Sequence, residues 1–324
     1  MKRLVALAIT MVLAAGVPAG ASVADGAAAP AETQGLDNPS EGRRVERGDM
    51  AVAVPPRGMT ATMELIRTDG TIDVLTVRHG NDGTVHTRHE TGEGGHEDES
   101  YKETASSTTS PIPACSDSTY RTSSVQVQHN PYFLVNSDVL NATVTTAMMK
   151  QAILNAGNNI ANARNDCGMP DNVDAPAVSG VGDTPLRTNF YVVNGEHYCD
   201  NRDVYSVVEL GVLNDAMAST CRLVGTNTEL IAADIRFNRA VNWFIGSAPS
   251  CATTEYWDME GTATHEMGHV YGLEHAVDDR YATWSEKTLH KNLTMHNYLP
   301  YSARCQTWYR TLGRGDVLGL ESRY

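Results

Sequence analysis

The stretch His265-Glu266-Met267-Gly268-His269-Val270-Tyr271-Gly272-Leu273-Glu274-His275 restricts the fold more than any other part of this 324-residue chain. Asp258 is placed to cap a helix over 259–271. On such a helix His265 and His269 lie about 40° apart around the axis and about 6 Å along it, so both project from one face. Two imidazoles there can reach one Zn²⁺ at roughly 2.0–2.1 Å. Gly272 lets the backbone leave the helix sharply, which returns His275 as a third ligand. Glu266, beside the first ligand, can approach a water without ligating the ion itself. Three neutral imidazoles leave the +2 charge uncompensated and a fourth position open, the arrangement of a catalytic rather than a structural zinc site. The competing reading, an amphipathic helix with incidental surface histidines, leaves all five positions to chance.

The N-terminus bears on the compartment. Lys2 and Arg3 precede a short apolar run from residue 4 to about 17, and Ala19-Gly20-Ala21 fits a cleavage site, with a cut after Ala24 close behind. Residues 1–24 therefore read as a secretory signal peptide, the run being shorter than the ~20 residues of a spanning helix. All six cysteines lie beyond it, at 115, 167, 199, 221, 251 and 305. An even count in an exported chain predicts three disulfides, with fifteen pairings open. No C-x-x-C spacing offers a thiolate site. The formal charge is −14, and loss of Lys2 and Arg3 would make it −16. So acidic a chain is a poor partner for nucleic acid or an anionic membrane surface, and no second apolar run is long enough to span. No nucleic-acid partner is expected, and the expected state is a secreted monomer.

Three regions follow the signal. Residues 25–50 read as a flexible leader. Segments 60–67, 71–78 and 84–88 alternate apolar or β-branched with polar residues, separated by Asp69-Gly70 and Asn81-Asp82-Gly83, which predicts a small β-meander. Residues 89–112 have linker composition. From about 113 to 324 the pattern is that of one α/β (α+β) domain. Strands are expected at 131–135, 189–193, 205–213, 230–237 and 241–245, and helices at 144–164, 259–271 and 316–323.

His265 to His275 matches H-E-x-x-H-x-x-G-x-x-H, and on that motif the chain resembles the metzincin zinc endopeptidases. Asp234-Ile235-Arg236-Phe237 and the ending from Gly315-Asp316-Val317 to Tyr324 look most like the matrixins within that clan. The resemblance implies a twisted mixed sheet with an active-site helix and a C-terminal helix, preceded by a β-rich prosegment over 25–112. It also implies a methionine turn below the zinc, for which Leu293-Thr294-Met295-His296 is suitably placed. There are departures. Ala276 follows the third histidine where matrixins usually carry Ser or Thr, and no second zinc cluster is evident; His129 and His197 read as surface or core residues. Some metzincins place a tyrosine two positions after the methionine; here that position is Asn297, and Tyr298 is the candidate transition-state donor. Cys167-Gly168-Met169-Pro170-Asp171 resembles a cysteine switch but follows the domain's first helix, so a disulfide is the better reading. A prosegment could still cap the zinc through an acidic or His side chain within 86–99. Calcium remains open, with no EF-hand-like loop and no ligands assigned.

The implied reaction is hydrolysis of internal peptide bonds in protein or peptide substrates, with one catalytic Zn²⁺ and Glu266 as general base. The substrate would lie extended along an edge strand, for which 243–246 is the candidate, with 277–293 shaping the adjacent pocket. Two alternatives stand: a zinc-containing binding or adhesion module without peptidase activity, and a processing peptidase of narrow specificity that keeps its β-meander.

Overall fold

A computed structural model describes residues 41–90, 110–136, 138, 143–200, 203–278 and 282–324. The expected signal peptide, most of the leader and most of the 89–112 linker lie outside the described residues. The N-terminal part contributes β1 (Arg44–Arg47), β2 (Met50–Ala53), β3 (Thr60–Arg67), β4 (Ile72–His79) and β5 (Val85–Glu90). The meander is thus present at its expected turns. Hairpin β1–β2, however, begins inside the stretch expected to be a flexible leader. Four-residue strands are too short to show a pattern, and they are held by tertiary partners: β2 pairs in parallel with a later strand.

The rest of the chain adds β6 (Arg121–Thr122), β7 (Tyr132–Asn136), α1 (Thr146–Ala161), β8 (Gly180–Thr184), β9 (Phe190–Val193), β10 (Glu196–Cys199), β11 (Ser206–Gly211), β12 (Ala216–Val224) and β13 (Leu230–Asn238). Then come β14 (Trp243–Phe244), β15 (Trp257–Asp258), α2 (Met259–Val270), β16 (Leu273–Glu274), α3 (Trp284–Leu289) and α4 (Arg314–Glu321). The main sheet is mixed, in the order β5-β4-β3-β12-β13-β11-β7-β8, antiparallel from β5 to β13 and parallel from β13 to β8. The β-meander is therefore not a separate small sheet; its three strands extend the sheet of the following domain across β12. A second sheet, β1-β2-β10-β9, has the same mixed parentage.

Two apolar cores result. In the larger, Met149, Ile153 and Ile160 of α1 and Met259, Ala263 and Met267 of α2 pack with Phe133, Val208, Ile235 and Phe237 of the sheet. In the smaller, Met50, Val52, Met63, Leu65, Leu75 and Val77 from the N-terminal strands pack with Phe190, Leu213 and the Cys199–Cys221 disulfide. The six cysteines form three disulfides, the others being Cys115–Cys167 and Cys251–Cys305, and this fits an oxidising environment. Among the described residues no helix is long and apolar enough to cross a membrane.

One expectation about the sheet is corrected. Trp243 and Phe244 are buried and pair in parallel with Trp257 and Asp258, forming a short internal bridge that leads into α2. They do not form a substrate edge. Strand β12 lies against α2, and its Thr220 and Arg222 side chains both reach that helix.

Candidate metal centre

Asp258 starts α2 by accepting from the Glu260 N–H, and Arg310 grips the same carboxylate through Nε (2.7 Å) and Nη2 (2.6 Å). Every residue of α2 is buried. The four-residue step then brings His265 Nε2 and His269 Nε2 to 3.3 Å. A tetrahedral ion with bonds of about 2.0–2.1 Å holds its donors about 3.3–3.4 Å apart, so this separation is already that of two ligands on one ion. The opposite ring nitrogens are anchored: His265 Nδ1 donates to Thr294 O (2.7 Å) and His269 Nδ1 to Leu273 O (2.9 Å). A carbonyl oxygen can only accept, so these bonds put the protons on Nδ1 and turn the Nε2 lone pairs inward. Burial pushes His269 down to about 4, which keeps it a neutral imidazole.

Gly272 breaks the helix with φ +87°, where a Cβ would meet Val125 O at 2.3 Å. The chain turns, pairs β16 with β6, and delivers His275. The following residues are zipped to the segment around Met295: Ala276 N–H donates to Met295 O (2.8 Å), and Asn297 both accepts from Val277 N–H (3.0 Å) and donates to Val277 O (2.8 Å). Met295 itself is buried under α2, its sulfur filling the space a Cβ on Gly268 would need. The turn is held from behind by Asp316 of α4, whose carboxylate accepts from Thr294 N–H (2.8 Å), Gly313 N–H (2.8 Å) and Met295 N–H (3.1 Å). Asp316 thus fixes the peptide whose carbonyl orients His265. Burial nonetheless pushes its pKa up to about 6.

The fourth member of the cluster comes from the N-terminal strands. Glu64 of β3 is buried, its Oε2 2.8 Å from His269 Nε2 and its Oε1 3.3 Å from His265 Nε2 and 3.6 Å from His275 Nε2. One donor atom from each of these four residues lies within 4.8 Å of the rest, and the group could hold a metal ion. An acidic or His side chain within 86–99 was one way a prosegment could cap the site; 91–99 lie outside the described residues, His86 bonds Thr84 on the exposed side, and Glu90 ion-pairs with Arg88 at the end of β5. Glu266, next to His265, receives the Thr220 hydroxyl hydrogen bond on Oε2, while its buried Oε1 makes no hydrogen bond. Burial and then the Glu64 charge push Glu266 well above the ordinary carboxylate value.

The Tyr298 ring lies against Gly70, at the tip of the β3–β4 hairpin, and the neighbouring Leu299 N–H donates to Gly70 O (3.0 Å). His296 takes the inner place, with Nδ1 3.1 Å from His265 Nδ1 and its ring against Tyr309. His129 is exposed, and His197 is buried against Asp49 (3.1 Å). His197, Asp49 and Asp215 are close enough to form a second metal-competent group. There, however, Arg67 supplies the positive charge, binding both Asp49 oxygens at 2.7 Å, Asp215 at 2.9 Å and Asp73 at 2.8 Å. Compared with known proteins, the chain matches no protein-family model and no curated protein.

Proposed function

We propose that this chain is a secreted zinc-dependent endopeptidase of metzincin type, with His265, His269 and His275 as ligands and Glu266 as general base. The observation that supports this most is the division of labour at the N-terminal end of the motif. The His265 and His269 Nε2 atoms sit at tetrahedral spacing with their Nδ1 protons anchored. The adjacent Glu266 keeps Oε1 without a hydrogen bond inside the same buried volume. When bound, Zn²⁺ supplies Lewis-acid activation of a water and of a scissile carbonyl. Glu266 Oε1 is the atom that takes the water's proton and returns it to the leaving amine, with Thr220 keeping Oε2 turned away. Asp316, through Thr294, keeps His265 from rotating off the ion. Arg222, donating to the His269 carbonyl, fixes the end of α2 against β12.

A second reading is favoured by one observation: Glu64 completes a set of four protein donors, and closed sets are typical of structural ions. On that reading the chain is a metal-stabilised binding module. The experiment compares the purified extracellular protein with its Glu266→Ala variant on an unstructured protein, metal content being measured in both. The peptidase reading expects cleavage by wild type, its loss on chelation, and an inert but zinc-loaded variant. Zinc bound and no cleavage by either full-length or naturally processed wild type would transfer the case to the binding module.

A further inference from the structure

We infer that strand β3 is a built-in block: Glu64 occupies the fourth ligand position of the metal held by His265, His269 and His275, and the strand carrying it takes the β12 edge that a peptide substrate would need. This rests on the peptidase reading for its meaning, though not for its test.

The topology shows what β3 covers. Without the N-terminal strands the main sheet would end at β12, which is antiparallel to β13 and lies against the metal-bearing helix. An extended peptide adding to that edge would pair with the backbone of β12. Strand β3 already does so over its whole length, antiparallel, with Glu64 directly opposite Thr220. Opposed residues in a pair share a face, so Glu64 and the Thr220 that holds Glu266 point into the same site. The alternation of the strand divides its side chains. Glu64 and Ile66 face α2, and Ile66 lines a small cavity with His265, His296, Leu299 and Tyr309. Met63 and Leu65 face the second core. The strand is therefore anchored on both faces while its carboxylate is aimed at the imidazoles.

Its C-terminal end is pinned as well. Arg67 ties the end of β3 to Asp49, Asp73 and Asp215, and Thr68 N–H donates to Asp215 O (2.7 Å). Beyond it, the hairpin tip is bonded to Leu299. The donor itself is well chosen for a cap. A carboxylate cancels one unit of the ion's charge, which three neutral imidazoles cannot do, and its oxygens meet Zn²⁺ at about 2.0–2.2 Å. With four protein donors in place no position remains for water or a carbonyl, which makes the full-length chain a latent form.

The test uses the full-length chain loaded with Co²⁺, whose visible absorption reports changes in coordination, and azide as the probe of an open position. Wild type is expected to show a spectrum that azide does not alter. In Glu64→Ala azide should shift the bands along a saturable titration. Glu64→Gln, nearly the same shape and therefore safe for folding, should respond in the same way. Both variants should also lose Co²⁺ affinity by at least the roughly 10–100-fold that removal of an outer-shell partner costs. If azide alters wild type and variants alike, Glu64 is not a ligand. If azide alters none of them although Co²⁺ is bound, something other than Glu64 closes the position; either result overturns the proposal. Hydrolysis enters neither outcome, so a failure here is distinct from a failure of the Glu266 experiment.

Discussion

Asp316 offers a prediction whose sign, not merely its size, can be wrong. Its carboxylate is buried and accepts three backbone N–H bonds, two on Oδ2 and one on Oδ1. In Asp316→Asn the amide oxygen can replace one carboxylate oxygen, leaving at least one buried N–H facing an NH₂ group. An unpaired buried donor costs about 1–3 kcal/mol. The pH dependence is sharper. Burial raises Asp316 from its ordinary 3.8 to about 6 in the folded chain. Between those values the folded state binds the extra proton, so stability is greatest below pH 4 and falls as pH rises through 6. A gap of about two pH units at about 1.4 kcal/mol each amounts to about 3 kcal/mol. The wild type should therefore lose about 3 kcal/mol from this residue between pH 4 and pH 7, and Asp316→Asn should not. Urea unfolding of both proteins in chelator at pH 4, 5, 6 and 7, followed by tryptophan fluorescence, gives the difference free of other titrations. The expected gap between wild type and variant narrows with rising pH. A gap that widens would mean the three N–H bonds outweigh burial and hold Asp316 ionised, refuting the reasoning.

Other outcomes follow from contacts around the same site. Gly272→Ala places a Cβ against Val125 O at a positive φ, so it should lower stability by about 1–3 kcal/mol and weaken metal retention in chelator competition. Gly268→Ala should cost a similar amount in a thermal melt through collision with the Met295 sulfur, and adding Met295→Ala should recover part of the loss. Replacing Cys199 and Cys221 together by Ala opens a loop with a sequence separation of 22, and denaturant titration should show a loss of about 3 kcal/mol. Arg67→Met leaves three carboxylates without their shared cation, and the expected result is faster hydrogen exchange at Thr68 and along β3 than in wild type.

Much of the candidate site was legible because its determinants are local. The histidine spacing, the Asp258 cap and the Gly272 exit act within a few turns of backbone, and all three stand where the motif put them. The meander was equally legible: its strands and turns follow alternation and turn chemistry over two to eight residues. Strand β12 was missed because Ala216–Val224 is buried along its whole length, which erases the alternation that marks a half-exposed strand. Asn297 was noticed only as a departure from a pattern, yet it clamps the chain after His275.

Glu64 shows where local reading ends. Nothing near it distinguishes that carboxylate from other acidic residues of the N-terminal region, and 201 positions separate it from His265. Its destination follows from strand pairing: one register of β3 on β12 places Glu64 opposite Thr220, and a shift of one residue would point it into the second core instead. The disulfide partners, the Asp316 support of Thr294 and the joining of two sequence regions into one sheet are decisions of the same kind. The sequence by itself determined the three histidines, the helix that carries two of them and the turn that returns the third, because helix periodicity and a left-handed glycine need no distant partner. Tertiary structure alone decided what faces those histidines, because a strand's partner and register are chosen by burial summed over both of its faces.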